Sequence, residues 1–118
     1  MNLTNNERFK ASKTPSCLRA LKLSSCAQRA AQKQADAQAA ADKMFHNADL
    51  TGVMTSCGAS AVGENVAYGF SSDAAVMAGW MNSSGHRANI LSTKYTSVAV
   101  AWAVGSNGQR YWAQVFLG

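Results

Sequence analysis

The chain reads as an α+β protein in which helices cover a small, mainly antiparallel sheet, and three observations predict this. Two β-branched and aromatic runs, residues 97–104 and 109–117, are joined by Gly105-Ser106-Asn107-Gly108, and Asn-Gly is a strong hairpin turn. An Ala-rich stretch over residues 25–46 has high helix propensity throughout. The order along the chain is helix, helix, strand, helix, hairpin. At 118 residues there is no room for two cores, so residues 1–118 are expected to form one domain.

The elements follow in order. Asn2 caps a short helix over residues 2–10, with Leu3 and Phe9 as its apolar side. Residues 11–17 form a loop, because Pro15 pushes Thr14 out of helical geometry. Leu18, Leu21 and Leu23 then dock the chain on the core. Ser24 or Ser25 caps the long helix, whose Ala27, Ala30, Ala31, Ala35 and Ala39 make a narrow face for close approach to the sheet. Met44, Phe45 and His46 finish it, and Asn47 and Asp49 signal the stop. Residues 47–62 are a connecting loop, with turns at Gly52 and Gly58. A strand runs from Glu64 to Phe70. Ser72 or Asp73 caps a helix over residues 73–82 that presents Val76, Met77 and Trp80 at helical spacing. Ser83-Ser84-Gly85 breaks it, and His86 to Leu91 is a single helical turn or a tight loop. Trp102, Tyr111 and Trp112 supply large buried area in the final hairpin.

Composition excludes several classes of function. Eleven Lys and Arg against six Asp and Glu give a net charge of +5, and eight of the basic residues lie in residues 1–43. A solvated helix face accounts for them: Arg29 and Lys33 sit at i, i+4. No basic run is interleaved with aromatics, which argues against nucleic acid. No apolar run approaches the roughly 18 residues of a membrane span, and Met1 is followed directly by polar residues with no signal-peptide pattern. Cys17, Cys26 and Cys57 contain no C-x-x-C, which argues against a zinc knuckle and for one disulfide plus a spare thiol in an exported protein. Asn2-Leu-Thr and Asn82-Ser-Ser are glycosylation sequons, a triplet that arises often by chance.

Only two glutamates and two histidines are present, and three of these four residues, His46, Glu64 and His86, are expected to converge on one cleft. Two imidazoles and a carboxylate are a zinc-type set with water as fourth ligand, His46 and His86 being the candidate metal ligands. The alternative is that Glu64 caps loop amides while both histidines donate to carbonyls. Ser83 or Ser84 near His86 raises a Ser-His-Glu hydrolase reading with His46, Glu64 and His86 as catalytic candidates, but no G-x-S-x-G elbow is present. Asn65 and Asn89 are expected to pin loops. Trp80, Trp102 and Trp112 read as core rather than as a ligand platform.

Gly63-Glu-Asn-Val-Ala-Tyr-Gly69, Trp80-Met-Asn-Ser-Ser-Gly-His-Arg-Ala-Asn-Ile-Leu91 and Tyr111-Trp-Ala-Gln-Val-Phe116 resemble the CAP superfamily, also called SCP-like. It includes cysteine-rich secretory proteins, insect venom antigen 5 and plant pathogenesis-related class 1 proteins; the short microbial secreted members are most similar. The resemblance extends from Thr4-Asn5-Asn6-Glu7-Arg8 to the end. It implies an α-β-α sandwich with the C-terminal hairpin at the centre of the sheet, and an extracellular location. The family's cleft is lined by two His and two Glu, which His46, Glu64 and His86 match at three corners. Met81-Asn82-Ser83-Ser84 supplies no second acid, leaving Ser83 at the fourth.

Residues and resemblance together lead to a secreted binding module. Its cleft, lined by His46, Glu64, Ser83 and His86, holds a small apolar ligand (lipid or sterol, by resemblance), a metal such as zinc, or an extracellular protein partner. A metal-assisted or Ser/His hydrolase in the same cleft is the alternative, and a monomer is expected. Cys26–Cys57 is the expected disulfide, from the placement of both residues around the site loops and from the Ser-Cys and Cys-Gly pairs of short microbial relatives; Cys17–Cys57 and Cys17–Cys26 are the competing pairs.

Overall fold

The Asn107-Gly108 turn, with Gly108 at a φ of 81°, closes the hairpin on which the other elements are laid. A computed structural model describes residues 2–11 and 21–118. In order these are α1 (Asn2–Ala11), β1 (Lys22–Leu23), α2 (Ser25–Ala41), α3 (Leu50–Ser56), β2 (Val62–Tyr68), α4 (Asp73–Met81), α5 (Ser84–Ile90), β3 (Ser97–Val104) and β4 (Arg110–Leu117). The strand order is β1-β3-β4-β2, so the hairpin β3-β4 is central as expected. β2 and β3 pair antiparallel with β4, and β1 adds two parallel residues to β3.

Side-chain alternation assigns the two faces. Val98, Trp112, Phe116 and Ala67 point to one face, where Val76, Met77, Trp80 and Ile90 of α4 and α5 cover them. Ala99, Ala101, Ala113, Val115 and Val66 point to the other, where α2 lies on them through Ala27, Ala31 and Ala35. All three alanines are fully buried, and the absence of longer side chains is what lets the helix approach the sheet.

Several expectations are corrected. The long helix ends at Ala41, not at residue 46, because Asp42 takes a left-handed conformation (φ 51°) and its N–H bonds back to Ala39 and Gln38. Its carboxylate then accepts from the Ser106 hydroxyl and the Asn107 N–H, locking the helix end to the hairpin turn. Met44, Phe45 and His46 therefore lie beyond the helix in an irregular segment. The connecting loop contains α3: Asp49, read as a stop, is the cap of the next helix and accepts from the N–H of Gly52. His86 lies in a seven-residue helix rather than a single turn. In α1 Leu3 packs against the core as expected, but Phe9 is 84% exposed while Thr4 and Arg8 are buried. The Arg8 guanidinium donates to the carbonyls of Ile90 and Ser92 at 2.9 and 2.7 Å, serving the C-terminal end of α5. Leu21 is buried as expected, but Leu23 is exposed on the short strand β1. Trp102 is 43% exposed beneath the Arg110 guanidinium, which lies 4.1 Å from its ring centroid. The readings placed on residues 12–20, including Pro15, Cys17 and Leu18, lie outside the described residues.

Candidate functional site

Glu64 is the centre of the site. It sits in β2 on the face covered by α2, and its side chain is 1% exposed. A buried carboxylate requires hydrogen-bond donors. One oxygen, Oε1, receives two: His46 Nδ1 at 2.9 Å and the Asn47 N–H at 2.9 Å. A carboxylate only accepts, so the proton of this bond is on Nδ1 and Nε2 of the same ring is left as the acceptor in the neutral form. The other oxygen, Oε2, is buried without a protein partner among the described residues. His46 itself is 58% exposed and faces solvent.

Two glutamines on the alanine face of α2 put His46 there. Gln34 Nε2 donates to the Phe45 carbonyl at 2.7 Å, and Gln38 Oε1 accepts from the Phe45 N–H at 3.1 Å. Gln38 Nε2 also donates to the Trp112 carbonyl of β4. The segment after α2 is thus held back along its own helix, one residue before His46. Neither glutamine figured in the sequence reading. The signal was there: two polar residues at i, i+4 on a stripe otherwise made of alanine.

His86 comes from α5. Its Nδ1 lies 2.8 Å from the Ser83 hydroxyl. Burial, with the nearby charge of His46 adding to it, holds its pKa below the usual 6.5. The backbone of α5 is fixed by an amide relay. Asn65 Nδ2 donates to the His86 carbonyl and to Gln114 Oε1, Asn89 Nδ2 donates to Asn65 Oδ1 and to the Glu64 carbonyl, and Gln114 Nε2 donates to the Thr4 hydroxyl. Asn65 and Asn89 bond to backbone carbonyls as expected, but what they tie together is α5 and β2 rather than loops. Gln114 and Thr4 extend the relay to α1.

These elements border a cavity of about 260 Å³, lined by Met44, Val66, Ala67, Tyr68, Phe70, Gly79, Trp80, Ser83 and His86. Apart from Ser83 and His86 the lining is aliphatic, aromatic or glycine. The four predicted cleft residues are arranged as two pairs, His46 with Glu64 and His86 with Ser83. The expected three-ligand set is not assembled, because Glu64 Oε1 is hydrogen-bonded to His46 Nδ1 and among the described residues no group of three or more His, Cys, Asp or Glu side chains is placed to hold a metal ion. With both Nδ1 atoms held by protein partners, Nε2 of each imidazole is the nitrogen left to a ligand. A Ser-His-acid relay is not formed either, because the only glutamate of the site belongs to His46 rather than to His86. Of the three tryptophans, Trp80 and Trp112 are core, as expected.

Comparison with known proteins agrees with this architecture. The profile of the cysteine-rich secretory protein family (CAP) matches residues 1–116. The chain belongs to the CAP family. Among curated proteins, this CAP chain is 39% identical over 56 residues to the uncharacterized protein YkwD of Bacillus subtilis (strain 168), a match that takes in 48% of the chain and 21% of YkwD. The chain thus spans about a fifth of the curated relative it matches. Three solved structures share the fold. An outer surface protein of Borrelia burgdorferi superposes with a TM-score of 0.83 at 14% identity, covering 98% of this chain and 86% of that one. An extracellular SCP-domain protein of Bacillus anthracis gives 0.76 at 23% identity, covering 97% and 37%. A cysteine-rich secretory protein of Staphylococcus aureus gives 0.71 at 24% identity, covering 98% and 36%. The α+β architecture and the microbial CAP type are therefore established. Within the CAP chain the Cys26–Cys57 disulfide is formed, with a Cα separation of 5.8 Å, tying the start of α2 to the end of α3. Among the described residues no helix is long and apolar enough to cross a membrane.

Proposed function

We propose that this CAP chain is an exported binding module whose cleft takes a small apolar group, with Ser83 and His86 at its polar wall. The cavity beside β2 carries the reading. It is open, its walls are mostly hydrophobic, and it has two convergent polar side chains, the composition expected of a ligand site. Export accords with a disulfide-bonded chain and with the extracellular and outer-surface descriptions of the structural neighbours. The separate pairing of Glu64 with His46 and of Ser83 with His86 favours binding over hydrolysis, since no single nucleophile-base-acid chain runs through the cleft.

Calorimetric titration with 1-hexanol tests the reading. The native protein is expected to bind it at millimolar concentration. Met44→Asp, which places a charge in the wall at an exposed position, is expected to weaken binding tenfold or more. Equal binding by both proteins would place the ligand elsewhere.

A further inference from the structure

The residues that line the cavity beside β2 include no Asp, Glu, Lys or Arg. Its one imidazole, His86, is kept neutral at neutral pH by burial, which holds its pKa below 6.5. His46 and Glu64 are outside the lining, and Glu64 Oε1 is spent on His46 Nδ1 and the Asn47 N–H. The cavity is therefore both apolar and uncharged.

Its walls present carbon. Trp80 Nε1 donates to the Val66 carbonyl at 3.1 Å, so the one polar atom of that indole is spent inside the fold. Gly79 lets the Phe70 ring lie on α4, since a Cβ there would stand 2.6 Å from Phe70 Cζ. Trp112 Nε1 donates to the Phe70 carbonyl at 2.9 Å and fixes the backbone that carries the ring. Tyr68 stacks on Tyr111 and adds a neutral phenol on a half-exposed ring. At about 260 Å³ the cavity falls below the roughly 300–1,000 Å³ of sites for drug-sized ligands, so the hydrocarbon it takes is short.

The polar wall has a specific hydrogen-bonding pattern. Ser83 is the N-cap residue of α5, yet its side chain makes no cap hydrogen bond. A serine at that position ordinarily accepts from an N–H of the first turn. Here its hydroxyl lies 2.8 Å from His86 Nδ1 instead. Wherever the shared proton sits, the pair keeps one donor and one acceptor for a ligand. If Ser83 donates to Nδ1, the Nε2–H is the donor and Ser83 Oγ the acceptor. If Nδ1 donates to Ser83, the serine hydroxyl is the donor and Nε2 the acceptor. A ligand hydroxyl both donates and accepts, so it complements either arrangement. A carboxylate only accepts and an ammonium only donates, and neither finds a counter-charge in the lining.

Resting on the reading of the cleft as a site for an apolar group, we propose that its ligand is a short aliphatic alcohol whose hydroxyl is held by Ser83 and His86. The chain lies against Val66, Phe70 and Trp80. The Ser83–His86 pair sets selectivity, accepting the hydroxyl and rejecting charged head groups on a chain of the same length.

The test is calorimetric titration of 1-hexanol, hexanoate and hexylammonium at pH 7.5 and equal ionic strength, with nitrogen-15 labelling of the histidine side chains. 1-Hexanol is expected to bind at least fivefold more tightly than either ion. It is also expected to move the His86 ring-nitrogen resonances while those of His46 stay in place. Ser83→Ala removes no cap hydrogen bond, so the variant keeps α5, and it is expected to bind 1-hexanol at least threefold more weakly. Either ion within fivefold of 1-hexanol, unmoved His86 nitrogens, or a loss below threefold in Ser83→Ala overturns the hydroxyl assignment and leaves the cleft as an apolar site. Failure of the native protein to bind 1-hexanol overturns the reading of the cleft and this assignment with it.

Discussion

Removing the Cys26–Cys57 bridge tests how the site-bearing excursion between α2 and β2 is stabilised. The two cysteines are 31 residues apart. Loop-closure entropy for that length is about 12 cal/mol/K, or roughly 3.7 kcal/mol at 25 °C. The native side of the balance is small, because α3 has no buried residue and contributes mainly the partly buried Val53 to the core. Most of the effect is therefore expected in the unfolded state. The comparison is Cys26→Ser with Cys57→Ser against the bridged protein, both in a Cys17→Ser background that prevents thiol exchange. Urea unfolding is expected to show a loss of about 3–4 kcal/mol and a larger m-value, since an unlinked chain exposes more surface. Hydrogen exchange of amides 50–56 is expected to accelerate more than that of α2. A loss below about 1 kcal/mol with an unchanged m-value would refute the reasoning, because the loop would then be constrained without the bridge.

Four further outcomes are expected. Asn65→Ala takes the donor from Gln114 Oε1 and from the His86 carbonyl and one acceptor from Asn89 Nδ2, and should lower stability by about 2–4 kcal/mol in urea unfolding. Ala31→Leu forces a side chain between α2 and the sheet where Ala31 is fully buried, and should lower stability by about 1–3 kcal/mol or more in the same assay. His86 has its folded pKa below 6.5, through burial first and His46 second. The unfolded chain then binds more protons than the folded one below that pH, so stability falls as pH drops through the window beneath 6.5. His86→Gln should flatten that part of the stability-versus-pH curve, and an unchanged slope would contradict the assignment. Arg8→Leu abandons the Ile90 and Ser92 carbonyls and should cost about 1–3 kcal/mol, with faster amide exchange in α5.

The parts of this protein that were legible in its sequence are those governed by local chemistry. The Asn107-Gly108 turn fixed the hairpin, and the alanine stripe of α2 fixed the helix that covers one of its faces. What was misread depends on long-range polar partners. Nothing local to α1 says that Arg8 turns inward; the reason is a pair of carbonyls more than eighty residues away at the end of α5. Nothing in the sequence 42–46 ends a helix by propensity, but Asp42 finds Ser106 and Asn107 across the fold and stops it there. The same limit applied to the cleft. Scarcity pointed to His46, Glu64 and His86, whereas the residues that place them, Gln34, Gln38 and Gln114, are ordinary polar residues whose importance comes from being buried.

The central claim is that the cavity beside β2 binds an apolar group. Carbon-13 labelling of the methionine methyl groups tests it directly, because Met44 lines that cavity, Met54 lies on α3, and Met77 lines a separate groove beneath α4 with Leu3, Val100 and Trp102. On titration with 1-hexanol the Met44 methyl resonance is expected to move to saturation while those of Met54 and Met77 stay in place. A saturable shift of Met77 with Met44 unmoved, or no shift at either, would contradict it.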